Sequence, residues 1–132
     1  MESASSKRIL IIDDNEAVLR MLEKWFKEYH YQIFCAQDGL TGLSLVRQLK
    51  PDCVILDLML PGMDGHRVCR MIKFDKRLHH IPVLILTSRM GPEEEALAKQ
   101  CGADAFINKG TKIERIVNEV RKLMGEEPQP PS

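Results

Sequence analysis

The sequence predicts an α/β fold in which a doubly wound sheet of five parallel strands is flanked by five helices. Five short apolar runs alternate along the chain with five segments whose apolar residues recur at helical spacing. The short loops between these segments favour parallel pairing with right-handed crossovers. An eight-fold barrel would need roughly twice as many residues as the 132 of this chain. The expected architecture is therefore a single three-layer domain.

The predicted strands are short runs rich in branched apolar residues, the pattern of strands that are buried on both faces. A proline at the first residue of the fourth run is tolerated because the missing backbone donor does least harm there. In chain order, the five runs are Arg8–Ile12, Tyr31–Ala36, Cys53–Asp57, Pro82–Thr87 and Ala105–Asn108.

The predicted helices follow each strand. In the first, Val18, Leu22 and Phe26 recur at helical spacing. The second ends before Pro51, and the fourth begins at Pro92 with three glutamates that suit the positive end of a helix. In chain order, the helices are Glu16–Tyr29, Leu40–Leu49, His66–Phe74, Pro92–Cys101 and Ile113–Met124.

The two ends of the chain differ in composition from the domain between them. Residues 1–6 are small and polar, and we predict a disordered leader. Residues 7–124 form the domain, and the proline-rich, acidic stretch 125–132 is predicted to be a tail or linker. The sequence is therefore expected to be either a stand-alone domain or a domain trimmed in its linker.

Composition excludes several classes of protein. The formal net charge is zero, which argues against direct nucleic-acid binding and against attraction to membrane surfaces. The four cysteines include no C-x-x-C pair, so a zinc site is not expected. Cys35 and Cys53 lie in apolar strand runs and are interpreted as reduced packing cysteines. Every apolar run is too short to span a membrane, and a cytoplasmic location is predicted.

Polar residues follow the C-terminal ends of four predicted strands. They are Asp13 and Asp14 after the first, Asp57 at the end of the third, Thr87 at the end of the fourth and Lys109 after the fifth. In a sheet of order 2-1-3-4-5, the first and third strands are neighbours at the switch point. Three converging carboxylates repel one another, and a divalent cation such as Mg²⁺ removes the conflict. A lysine and a threonine beside them would equip the site to bind a phosphoryl group.

Each of these residues also has a purely structural interpretation. Asp13 and Asp14 are suited to cap the first helix, and Asp57 is suited to cap the loop or helix that follows it. Thr87 would then simply end a strand, and Lys109 would be a solvated loop lysine. All of them falling at C-terminal strand ends by chance is improbable, which favours the functional interpretation.

Four motifs carry a resemblance to a known family. Together they resemble the receiver (REC) domains of two-component response regulators, which have a flavodoxin-like fold, and the similarity extends from Arg8 to Met124. The motifs are IIDDN (11–15), LDLMLPGMDG (56–65), LTSR (86–89) and GADAFINKG (102–110).

The resemblance implies a phosphorylation site with a bound Mg²⁺. Asp57 would be the phosphoacceptor, and a histidine kinase or a histidine phosphotransfer protein would be the donor. Asp14 would bind the metal directly and Asp13 mainly through water. Asp57 and the backbone carbonyl of Met59 would complete the protein's share of the coordination.

The resemblance also implies a switch. Thr87 and Lys109 would each contact a phosphoryl oxygen, and Phe106 matches the switch aromatic of the family. The surface formed by the fourth helix, fifth strand and fifth helix would bind a downstream effector, and dimerisation through these helices is compatible with the family. Such a domain is not a conventional enzyme, although it catalyses its own aspartyl phosphorylation and dephosphorylation.

The sequence departs from the family pattern at two places. Gly110 follows Lys109 where the family usually has a proline after a cis peptide bond. A cis bond before a residue other than proline costs about 2.5–4 kcal/mol, so we predict a trans bond. The positions that tune dephosphorylation hold Met59 and Arg89, neither of which suits the orientation of an attacking water. Self-dephosphorylation is therefore expected to be slow.

Three other classes of protein compete with this interpretation. A flavodoxin-like electron carrier would need a Ser/Thr/Gly-rich phosphate loop after the first strand, but IIDDNEA is acidic. An aspartate phosphatase of the D-x-D type would need a second carboxylate at Met59. A pseudo-receiver that binds partners without phosphorylation remains the main alternative, although the complete set of polar residues argues against it.

Overall fold

The computed structural model describes residues 7–127. All four strand pairings are parallel, and the sheet has the order β2-β1-β3-β4-β5. The strands are β1 (Arg8–Ile12), β2 (Gln32–Ala36), β3 (Cys53–Leu56), β4 (Val83–Thr87) and β5 (Ala105–Asn108). The helices are α1 (Glu16–Lys27), α2 (Gly39–Leu49), α3 (Gly65–Lys73), α4 (Pro92–Gln100) and α5 (Ile113–Leu123). The predicted fold class and strand order are confirmed.

Each face of the sheet carries its own hydrophobic cluster. Alternate residues of a strand point to opposite faces, so Ile9 and Ile11 of β1 pack in the cluster with buried residues of α1 and α5. Leu10 and Ile12 pack on the other face with buried residues of α2, α3 and α4. Because helices cover both faces, the central strands are continuous apolar runs, as a parallel sheet requires.

The first helix is shorter than predicted. It ends at Lys27 rather than at Tyr29, and His30 adopts a positive φ of 67° before β2 begins. The apolar spacing continues through Tyr29, but residues 28–30 form the turn that leads the chain into β2. The helical spacing of apolar side chains therefore continues beyond the residue at which the backbone leaves the helix.

The expectation of a packing cysteine is right for Cys53 and wrong for Cys35. Cys53 lies in the central strand β3 and is buried, whereas Cys35 is exposed. Cys35 belongs to β2, which lies at the edge of the sheet and is mostly exposed or half-buried along its length. An apolar strand at a sheet edge packs against fewer neighbouring residues than a central strand does, so more of its side chains remain exposed.

The ends of the chain are described only in part. The predicted leader 1–6 and the last five residues of the predicted tail lie outside the described residues. The first residues of that tail contact the domain, since Glu126 accepts a hydrogen bond from the hydroxyl of Tyr31 and Arg121 Nε donates to the carbonyl of Glu127 at 3.2 Å. Within residues 7–127, no helix is long and apolar enough to cross a membrane.

Candidate functional site

Three carboxylates meet at the C-terminal edge of the sheet. Asp13 and Asp14 follow β1 and Asp57 follows β3, and the two strands pair with Ile12 opposite Leu56. The backbone N–H of Asp57 donates to the carbonyl of Ile12 at 2.9 Å, which fixes the two strand ends against each other. One carboxylate oxygen from each aspartate lies within 4.8 Å of the others. The predicted convergence of the three residues is therefore observed.

The start of α3 fits closely against Asp57 because Gly65 has no side chain. A Cβ at Gly65 would collide with the backbone carbonyl of Asp57 and with Leu58. The N–H of Gly65 donates to the carbonyl of Leu58 at 3.0 Å. The glycine in the motif thus allows the helix to begin directly beside the site.

The three carboxylates differ in environment. Asp13 and Asp57 are only 2% and 4% exposed, whereas Asp14 is exposed. Burial and then the charge of Asp13 raise the pKa of Asp57, while Lys109 opposes the shift. This set of hard oxygen donors, with one open side for water, fits a divalent cation.

Lys109 balances the two buried carboxylates. Its Nζ lies 2.8 Å from Oδ2 of Asp13 and 3.2 Å from Oδ2 of Asp57. Burial acts to lower the pKa of Lys109, but the hydrogen bonds and charges of the two aspartates outweigh it and raise that pKa. The backbone N–H of Lys109 donates to the carbonyl of Thr87 at 2.9 Å. Lys109 is therefore a charged, positioned lysine and not a solvated one.

The helices next to the site are capped by residues other than Asp13, Asp14 and Asp57. Asn15 is the N-cap of α1, and its Oδ1 accepts from the N–H of Val18 at 3.1 Å. Asp64 is the N-cap of α3 and accepts from the N–H of Arg67 at 3.0 Å. Neither cap was predicted from the sequence, although Asn and Asp directly before a helix are the expected signal.

Hydrogen bonds from the loop between β1 and α1 and to the end of β2 hold Asp13 in place. Its Oδ1 accepts from the N–H of Asn15 at 2.8 Å, and its own N–H donates to the carbonyl of Ala36 at 3.0 Å. Oδ1 is thus bonded to the loop and Oδ2 to Lys109. Asp13 is oriented from two sides.

Thr87 and Phe106 lie in adjacent strands on the opposite side of β3 from β1. Thr87 is completely buried, and its Oγ1 accepts from the N–H of Arg89 at 3.1 Å. Phe106 pairs with Ile85 across the β4–β5 ladder and is half-buried against the core. It also borders a cavity of about 420 Å³ between β5, α5 and the segment before α4, which Met90 also lines.

Two further expectations concern the backbone. The Lys109–Gly110 peptide bond is trans, as predicted. The N–H of Gly110 donates to Oδ1 of Asn108 at 2.6 Å, which closes this loop without a proline. The backbone of Met59 acts to lower the pKa of Asp57, against the larger effect of burial, whereas the metal contact of the Met59 carbonyl stays a prediction.

Fold and site together define a receiver-type architecture, in which parallel strands present an acidic pocket with an opposed lysine. Residues 9–121 match the response regulator receiver domain family, and the chain belongs to that family. Receiver domains have an acidic pocket that binds a divalent metal, and Asp13, Asp14 and Asp57 form that pocket here.

The sequence is also similar to those of longer response regulators. The chain is 38% identical over 118 residues to the response regulator PleD of Caulobacter vibrioides, covering 89% of this chain and 26% of PleD. It is 38% identical over 117 residues to the DNA-binding dual master transcriptional regulator RpaA of Synechocystis, covering 89% of this chain and 48% of RpaA. The chain therefore spans between about a quarter and half the length of these relatives.

A solved structure gives the corresponding comparison of folds. The signal receiver domain of a signal transduction histidine kinase from Syntrophus aciditrophicus superimposes with a TM-score of 0.85 at 31% identity. The match covers 91% of each chain. The five-stranded architecture with the order 2-1-3-4-5 is thus that of a receiver domain.

Proposed function

We propose that this receiver domain is a phosphorylation-activated switch in a two-component phosphorelay. Asp57 accepts a phosphoryl group from a histidine kinase or a histidine phosphotransfer protein, and Mg²⁺ is the metal of the acidic pocket. The observation that carries the proposal is the meeting of Asp13, Asp14 and Asp57 within 4.8 Å, with Lys109 bonded to two of them.

The chemistry follows from the positions of these side chains. A carboxylate oxygen of Asp57 attacks the phosphorus of phosphohistidine in line, so that a P–O bond forms as the P–N bond breaks. Bound Mg²⁺ supplies charge neutralisation for the transferring group. Lys109 supplies a second positive charge beside Asp57, whose carboxylate is buried.

The aspartyl phosphate formed at Asp57 can drive a conformational change. Converting a switch from mostly inactive to mostly active needs about 5.5 kcal/mol of differential stabilisation. A hydrogen bond to a charged group contributes about 1.5–3 kcal/mol. One bond from Thr87, one from Lys109 and the metal contacts together reach that amount.

The path of the signal runs through Thr87 to Phe106. Movement of the Thr87 side chain towards the phosphoryl group vacates space beside β5, and Phe106 turns inward to fill it. Phe106 borders the cavity that Met90 also lines, so an inward turn of its ring would reshape this part of the surface. The face formed by α4, β5 and α5 then changes its affinity for a downstream effector protein or for a second copy of the chain.

Several properties belong to the same proposal. The chain is a switch and not a conventional enzyme, and its output passes through protein contacts without direct binding to nucleic acid. A cytoplasmic location is part of the proposal.

The test separates this function from that of a pseudo-receiver. Mg²⁺ and beryllofluoride, a mimic of the phosphoryl group, are added to the protein while amide NMR spectra are recorded. We expect shifts around Asp57 and across α4, β5 and α5, and their loss in Asp57→Asn. Asp64→Asn is the matched control because asparagine retains the N-cap of α3. A wild-type spectrum that does not respond would overturn the proposal in favour of a phosphorylation-independent interaction module.

A further inference from the structure

Two buried cysteines adjoin each other between α3 and the end of α4. Cys69 and Cys101 are both 0% exposed and belong to the same core cluster. Sγ of Cys69 lies 3.5 Å from the carbonyl oxygen of Cys101, although 32 positions separate the two residues in the sequence. Sγ of Cys101 in turn donates to the carbonyl oxygen of Ala98 at 3.2 Å. This pair lies apart from the phosphorylation site.

The surroundings favour reaction at Cys101. The neighbouring Cys69 thiol lowers the pKa of Cys101, against the opposing effect of burial, and backbone N–H groups and Arg70 act in the same direction. The proximity of Cys101 and then burial raise the pKa of Cys69. The thiolate is the reactive form of cysteine. Cys101 is the C-cap residue of α4, whereas Cys69 lies within α3, so Cys101 is the nucleophile of the pair and Cys69 the resolving thiol.

Helix α4 is held loosely enough to expose this pair transiently. Ala98 is its single buried residue, and its N-terminus has no side-chain cap. The residue before it, Gly91, has a φ of 151°. Helices with few buried contacts open locally at a lower free energy than the core. Opening at the C-terminal end of α4 would admit a small oxidant to Cys101.

We propose that Cys69 and Cys101 form a redox pair that a small peroxide converts to an intramolecular disulfide. The thiolate of Cys101 attacks one peroxide oxygen, which gives a sulfenic acid and releases the other oxygen as water or hydroxide. Cys69 then attacks the sulfenic sulfur, forming the S–S bond and releasing a second water. Two electrons leave the two sulfurs, and the peroxide is reduced.

The bridge would join α3 to the end of α4. Since α4 buries so little of its own surface, a covalent link at Cys101 would restrict its local opening. This effect does not depend on phosphorylation. In a receiver that signals through α4, β5 and α5, it would also limit the movement of α4.

The experiment uses the whole chain in a Cys35→Ser background, because exposed Cys35 would otherwise join two molecules. The protein is treated with hydrogen peroxide, free thiols are alkylated, and tryptic peptides are analysed by mass spectrometry. We expect residues 68–70 linked to residues 100–109, with dithiothreitol releasing the link. Cys53, buried and outside the pair, should remain available for alkylation after denaturation.

The matched control restores Cys35 and follows its oxidation under the same conditions. Cys69 and Cys101 remaining fully alkylatable while Cys35 is oxidised would overturn the proposal, as would oxidation of Cys101 to sulfinic acid without a link. Hydrogen exchange gives an independent measurement. Amides of α4 should exchange on the order of tenfold more slowly after oxidation, and Cys69→Ser should abolish this change. Unchanged exchange in the bridged protein would contradict the proposed restraint on α4.

Discussion

Nζ of Lys109 lies 2.8 Å from Oδ2 of Asp13, nearer than its distance of 3.2 Å to Oδ2 of Asp57. The lysine after β5 therefore links the aspartates that follow β1 and β3, which are the two sides of the switch point. Under the proposed function, a phosphoryl group on Asp57 would have to compete with Asp13 for this cation. In that proposal, the cation that neutralises Asp13 before phosphorylation is the same one that would contact the phosphoryl group afterwards.

Lys109→Met should destabilise the metal-free protein. The substitution leaves two buried carboxylates without their cation, and removing one partner of a buried pair costs about 3–5 kcal/mol. The side chain of Lys109 is 20% exposed, so water recovers part of this loss and we expect about 1–3 kcal/mol at neutral pH. Urea unfolding with a chelator present measures the change.

Saturating Mg²⁺ provides the complementary measurement. It should stabilise Lys109→Met more than the wild type, because the metal replaces the lost positive charge. Lys99→Met, at an exposed position of α4, serves as the control and should unfold close to the wild-type midpoint. Equal stability of the wild type and Lys109→Met without metal would show that the ion pairs contribute nothing.

Thr87→Ala should separate phosphorylation from its structural consequence. The buried hydroxyl of Thr87 accepts a hydrogen bond from Arg89 in the described state and is the group expected to turn towards the phosphoryl group. Beryllofluoride should still bind at Asp57, but the NMR shifts at α4, β5 and α5 should be at least halved. Thr87→Ser keeps the hydroxyl and should retain most of the response. Equal shifts in the wild type and Thr87→Ala at equal occupancy would refute the coupling.

Much of the site was predictable because the sheet imposes it. Once the strand order is known, the residues after β1, β3 and β5 must lie at one edge, which fixes Asp13, Asp57 and Lys109 near one another. The pairing of Lys109 with Asp13 was not predictable, because it depends on side-chain distances between strands. The use of Asn15 as the helix cap had a sequence signal, but the competing aspartates beside it concealed that signal.

The exposed Cys35 and the bound Glu126 illustrate a different limit. Composition placed Cys35 in a buried strand and Glu126 in a free tail, yet one is exposed and the other is paired with Arg121 at 3.6 Å. Both outcomes depend on which parts of the folded chain pack against these residues. Local composition does not contain that information. The boundary of the domain at residue 124 accordingly stays a prediction.

The Tyr31–Glu126 contact should contribute to folding stability. The hydroxyl of Tyr31 donates to Glu126 and accepts from Nη1 of Arg121 at 2.6 Å, and both Tyr31 and Arg121 are buried. In a double-mutant cycle of Tyr31→Phe and Glu126→Gln, we expect a coupling free energy of at least about 0.5 kcal/mol. Urea unfolding of the four proteins measures it.

Glu127→Gln is the matched control for that cycle. Glu127 is exposed, and the described contact to Arg121 uses its backbone carbonyl, which the substitution preserves. Its coupling to Tyr31→Phe should be close to zero. Additive effects of Tyr31→Phe and Glu126→Gln would mean that the contact does not hold the C-terminal segment to the domain.

Acid should selectively weaken the start of α2. Asp38 is its N-cap, and hydrogen bonds from the backbone N–H and the hydroxyl of Thr41 lower the pKa of Asp38 below its ordinary value of 3.8. A lowered pKa in the folded state gives stability that is present above the unfolded value and is lost as pH falls through the folded one. The stability advantage of the wild type over Asp38→Ala should therefore shrink as pH falls below 3.8.

Asp38→Asn tests the origin of that pH dependence. Its amide oxygen caps the helix without titrating, so its advantage over Asp38→Ala should remain constant across the same pH range. Unfolding curves for the three proteins between neutral pH and about pH 3 measure both differences. A wild-type advantage that stays constant into acid would show that the ionised carboxylate is not the form that stabilises the cap.

The phosphorylated protein should lose its phosphoryl group slowly. Hydrolysis of the aspartyl phosphate needs an oriented water, and the two positions expected to orient it hold Met59 and Arg89, both exposed and neither a carboxamide nor a carboxylate. We expect a half-life longer than seconds for the wild type in Mg²⁺, and hydrolysis faster by on the order of tenfold in Met59→Asn or Arg89→Glu. Loss of label from radiolabelled protein measures the rate, with Met21→Asn on exposed α1 as the control. A wild-type half-life of seconds or less would mean that another group activates the water, and unchanged rates in both variants would remove these positions from the dephosphorylation mechanism.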